Sequence, residues 1–122
     1  DSIKAHAGSY CADEQGFYWQ YHDFLYSNQG DENSGWASAN NLKNLVSGIS
    51  GLDTDSFSKC LDSGKYEDRV KENKNIALKS GATSTPSFII IDPDGNRISI
   101  SGAQPYSIFQ ETIDEILARA KK

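Results

Sequence analysis

Cys11 and Cys60 carry the only two thiols in the chain, and with His6 and His22 they are the side chains best suited to covalent or metal chemistry. The cysteines lie too far apart in sequence for a zinc knuckle or a C-x-x-C redox pair. A zinc site built from His6, Cys11, His22 and Cys60 matches no familiar ligand spacing, so no metal and no cofactor are expected. Three readings remain for the cysteines: a structural disulfide, two buried thiols packing as small hydrophobes, or an exchange-active pair. The last is disfavoured because the flanking residues are not strongly electropositive. We expect a disulfide between Cys11 and Cys60, which implies an oxidising compartment. His22 reads as a hydrogen-bonded histidine at a core edge rather than as a base for a thiol.

The elements that must position these residues are legible from periodicity. Residues 3–15 have helical spacing, with Gly8 a weak point at the centre. Phe17, Tyr21, Phe24 and Leu25 fall on one helical stripe, and Asn28 to Ser34 has turn composition. The surrounding aromatic residues Tyr18, Trp19 and Tyr26 cannot all face the same core, so some reach the surface, singly or as a patch for unfolded clients or a partner. Leu42, Leu45, Val46 and Ile49 repeat the helical stripe. A short helix follows, capped by Asp53 or Thr54, with Phe57, Cys60 and Leu61 on one face and Gly64 at its end. A charged helix from about Lys65 to Ser80 presents Tyr66, Val70 and Ala77 on one side and stops at Gly81.

At Thr83 the pattern changes to that of a strand. Ser87 to Asp92 is apolar on both faces, Pro93-Asp94-Gly95-Asn96 is a strong turn signal, and Arg97 to Ser101 alternates, so an antiparallel hairpin is predicted. A last helix begins near Pro105, with Phe109, Ile113, Ile116, Leu117 and Ala120 on one face. A strand apolar on both faces needs a neighbour on each side, and two strands alone are marginal in water. Further strands are therefore expected, from upstream sequence or from a second copy.

The bulk numbers exclude several classes. A length of 122 residues is the size of one domain, and a hydrophobic fraction of 37% with 24% charged residues argues against disorder. A net charge of −5 makes broad contact with nucleic acid unexpected, and no apolar run approaches the length of a membrane span. The chain opens on Asp1 and contains no Met, so it is expected to be processed or cut from a longer protein.

Four stretches, in order, carry a resemblance to a known family. They are Tyr10-Cys11-Ala12-Asp13-Glu14-Gln15-Gly16-Phe17-Tyr18-Trp19 leading into Tyr21-His22-Asp23-Phe24-Leu25-Tyr26; Gly51-Leu52-Asp53 with Phe57-Ser58-Lys59-Cys60-Leu61; Gly81-Ala82-Thr83-Ser84-Thr85-Pro86-Ser87-Phe88-Ile89-Ile90; and Gly102-Ala103-Gln104-Pro105-Tyr106 with Phe109 and Ile113. Together they resemble DsbA-like thiol-disulfide oxidoreductases of the thioredoxin superfamily. The resemblance implies an α+β, partial thioredoxin-like fold: a helical insert over residues 1–82, then an antiparallel hairpin and C-terminal helix over 83–122. It also implies a cis Thr85-Pro86 bond, with Thr85 and Pro86 as the loop that binds substrate.

The family's catalytic C-x-x-C is absent from this sequence, and so are the strands that flank it. No catalytic residue is therefore assigned, and the chain alone is not expected to exchange dithiols. Two functions are expected. One is a part of an extracytoplasmic oxidoreductase whose partners are proteins or peptides bearing thiols or disulfides. The other is a redox-inactive peptide-binding or interaction module of the same fold. A homodimer through the exposed sheet edge is a further expectation.

Overall fold

A computed structural model describes residues 2–120 of the chain. The order of elements is α1 (Ser2–Asp13), α2 (Tyr18–Ser27), α3 (Ala39–Val46), α4 (Thr54–Ser63), α5 (Glu67–Lys79), β1 (Ser87–Ile91), β2 (Arg97–Ser101) and α6 (Tyr106–Ala120). This is the α+β arrangement expected of a helical insert, a hairpin and a final helix. The chain divides into two compact units, one ending at Asn73 and the other beginning at Lys74.

The first unit is helical and holds most of the core. Its centre is Tyr21, Leu42, Val46, Phe57 and Leu61, all buried, with Phe17, Phe24 and Leu25 packed around them. The predicted stripes of α2, α3 and α4 are therefore the faces that meet. Local chemistry sets the helix ends. Asp53 caps α4, its Oδ1 accepting from the N–H groups of Asp55 and Ser56 at 3.1 Å. Gly64 ends the same helix in the left-handed conformation at φ 68°. A polar clamp ties α1 to the start of α5. The Tyr66 hydroxyl donates to Glu14 Oε1 at 2.6 Å, Lys65 pairs with the same carboxylate, and Lys4 pairs with Glu67.

The second unit contains the hairpin. β1 and β2 pair antiparallel, with Phe88 opposite Ile100 and Ile90 opposite Ile98. The turn is held by Asp92, whose Oδ1 accepts from the N–H groups of Asp94 at 2.9 Å and Asn96 at 2.8 Å. α5 ends with the Ala82 N–H bonded to the Ala77 carbonyl and Gly81 at φ 95°.

Three expectations about burial are corrected. β1 is fully covered on neither face among the described residues: Phe88, Ile89 and Ile91 are 41%, 36% and 61% exposed. The pleat sends Phe88 and Ile90 to one side, where Phe88 meets Phe109 edge-on at 4.9 Å, and sends Ile89 and Ile91 to the other. Ala77 is exposed rather than packed, because the burial of α5 stops with its N-terminal half at Val70. On α6 the buried member of the predicted face is Ile116; Ile113, Leu117 and Ala120 are exposed. In each case the apolar stripe exists as read, but nothing among the described residues lies over it.

Candidate functional site

Cys11 on α1 and Cys60 on α4 are joined in a disulfide, with Cα atoms 5.8 Å apart. Helical phase explains the meeting. Ala7, Cys11 and Ala12 are the buried face of α1, and Phe57, Cys60 and Leu61 are the buried face of α4. Both cysteines are buried, which disfavours attack by a thiolate, since it must approach a sulfur directly to displace its partner. The bond is a staple between helices. It also removes both thiols from any metal site, and among the described residues no three His, Cys, Asp or Glu side chains gather as a metal cage.

Thr85 and Pro86 belong to the second unit, in the loop that leads into β1, and both are exposed. The bond between them is cis. The Pro86 carbonyl accepts from the Gly102 N–H at 2.8 Å, and the Ser87 hydroxyl donates to the Ser84 carbonyl, so both flanks of Thr85 are anchored. Thr85 itself differs: among the described residues, neither its N–H nor its C=O has a hydrogen-bond partner. Among the described residues, β1 is hydrogen-bonded along one edge only, to β2. An exposed backbone donor and acceptor beside an open strand edge can pair with an extended peptide.

A family model described as thioredoxin matches residues 2–115. The chain belongs to the thioredoxin family. The matched span takes in all of the helical unit, the Thr85-Pro86 loop, the hairpin and most of α6. No curated protein and no solved structure matches the chain. Family membership suggests protein substrates and thiol-disulfide chemistry, while the cysteines of this sequence are those of the buried staple. No described helix is long and apolar enough to cross a membrane.

The two histidines, weighed together above only as zinc ligands with the cysteines, instead share a cavity with aromatic side chains. His6 and His22 line a cavity in the first unit of about 510 Å³, along with Tyr18, Tyr26 and Trp36. The His22 Nδ1 lies 3.0 Å from Asp23 Oδ1, an exposed contact between chain neighbours rather than one at a core edge. The i, i+4, i+8 spacing of Tyr18, His22 and Tyr26 was a readable signal for one wall. Nothing local placed Trp36 opposite it.

Proposed function

We propose that this chain is the helical insert (residues 1–82) and C-terminal ββα part (83–122) of a DsbA-like thiol-disulfide oxidoreductase that acts on extracytoplasmic proteins. The dithiol is supplied from outside these 122 residues. One thiolate of that pair attacks a sulfur of a substrate disulfide, forming a mixed disulfide and releasing the other substrate sulfur as thiolate. The second thiolate then attacks the mixed disulfide, which leaves the enzyme pair oxidised and the substrate reduced; oxidation of substrate is the same sequence reversed. Thr85 and Pro86 hold the substrate peptide extended during both steps.

The observation that carries this reading is Thr85, an exposed residue leading into β1 whose N–H and C=O have no hydrogen-bond partner among the described residues. Membership of the thioredoxin family over residues 2–115 supports the chemistry, and the buried Cys11–Cys60 bond supports an oxidising, extracytoplasmic setting. The test is a backbone amide NMR titration with an extended peptide in which Ser replaces the reactive Cys. We expect shifts centred on Thr85 and Ser87, lost in Pro86→Ala. Shifts confined to the helical unit, or none, sink the reading.

A second reading is a redox-inactive peptide-binding module that uses the same loop, favoured by the burial of both thiols in one bond. The intact mass of the native protein, unreduced and then reduced and alkylated, separates the two. A heavier species that gains more than two alkyl groups on reduction supports the oxidoreductase; a species of the mass of this chain supports the module. The open edge of β1 also offers a homodimer contact, which sedimentation across a concentration series detects.

A further inference from the structure

We propose that the cavity of the helical unit is a binding site for a small alkylammonium cation, held among the rings of Tyr18, Tyr26 and Trp36 with Glu32 as its counter-charge. The site is distinct from the Thr85-Pro86 loop and does not depend on the oxidoreductase reading. At about 510 Å³ the cavity has the size of a small-molecule pocket. Its lining selects for charge: among the described residues, four Tyr or Trp rings and two imidazoles border it, no Lys or Arg does, and Glu32 is the one carboxylate. Ring faces carry negative potential, so a cation seated among them is stabilised and an anion is repelled.

The walls are held in place without a ligand. Tyr21 forms the floor, buried, with its hydroxyl donating to the Ala5 carbonyl at 2.8 Å. His22 stacks on Tyr18 at 6.4 Å and meets Tyr26 at a tilt of 56° and 4.9 Å, and its Nδ1 lies 3.0 Å from Asp23 Oδ1. Trp36 is set by the loop opposite. A Cβ on Gly30 would lie 2.8 Å from the Trp36 Cβ, so the indole rests directly on glycine backbone. The Asn41 side chain donates to the Gly35 carbonyl at 3.0 Å, and the Ser34 hydroxyl to the Asp31 carbonyl at 2.7 Å.

The experiment is a fluorescence titration at fixed pH and ionic strength. A Trp19→Phe background leaves Trp36 as the reporter. Choline is the probe; the controls are its carbon isostere, with a quaternary carbon in place of the nitrogen, and acetate. We expect a saturable change with a low-millimolar Kd for choline, binding of the isostere weaker by about tenfold or more, and no response to acetate. Glu32→Gln, a surface change that leaves the fold intact, weakens choline by roughly threefold to tenfold. Gly30→Ala, which displaces Trp36, abolishes the response. Equal binding of choline and isostere, or no saturation with choline, overturns the proposal.

Discussion

Gly8 sits where a methyl group has no room. A Cβ there would lie 2.4 Å from the Tyr21 hydroxyl oxygen and 3.3 Å from Phe57. The residue that weakens the centre of α1 by helix propensity is thus what lets α2 and α4 close on it. Alanine gains about 1 kcal/mol of propensity, while overpacking a core costs about 1–3 kcal/mol. Gly8→Ala is expected to destabilise by about 1 kcal/mol in urea unfolding, and by less in a Tyr21→Phe background, where the nearest atom is gone. Tyr21→Phe alone loses the bond to the Ala5 carbonyl, worth about 1 kcal/mol. Additive effects in the double mutant would sink this steric account.

Between elements, the disulfide is the strongest single tie. It closes 49 residues of sequence separation, and in the chain-entropy view Cys11→Ala with Cys60→Ala lowers unfolding stability by about 4 kcal/mol. Calorimetry of the double variant measures that loss; a change within error would place the stability of the helical unit in its packing alone. In the second unit the hairpin leans on α6 through Phe88 and Phe109. Phe109→Ala is expected to cost about 2 kcal/mol there, seen as faster amide exchange in β1 with the α1 and α4 amides unchanged.

Across the whole molecule, stability should be limited by pH at both ends. Lys65 and then Tyr66 hold the Glu14 carboxyl below the usual range, Lys4 does so for Glu67, the Ser56 N–H for Asp53 and the Asn96 N–H for Asp92. A depressed carboxyl contributes stability that is complete above its unfolded pKa of about 4 and is lost as pH falls through the lower folded value. Glu14 in turn raises Lys65 and Tyr66, whose contributions are complete below about pH 10 and fade above it. The urea midpoint is therefore expected to be flat between about pH 5 and pH 9 and to fall on both sides. Glu14→Gln should shrink both limbs, while the Tyr21 hydroxyl, raised by burial and independent of Glu14, keeps part of the alkaline one; an unchanged profile would remove the clamp from the account.

The sequence alone determined what short-range physics controls. Helical stripes at i, i+3 and i+4, the Asp53 cap, the stops at Gly64 and Gly81 and the Pro93-Asp94-Gly95-Asn96 turn all depend on residues a few positions apart, and they formed as read save at two ends, where Phe17 precedes α2 and Ile49 follows α3. The thioredoxin fold was legible because four motifs stood in order along the chain. Only the tertiary structure decided which apolar faces are covered and which residues meet. The sequence of β1 reads the same on both faces, yet Phe88 has Phe109 against it while Ile91 has no cover among the described residues. Cys11 meets Cys60, Gly8 meets Tyr21 and Trp36 closes a cavity begun by Tyr18 and His22, all across long stretches of sequence. Burial is a property of what packs against a face, and that partner is set by the path of the chain rather than by the local pattern.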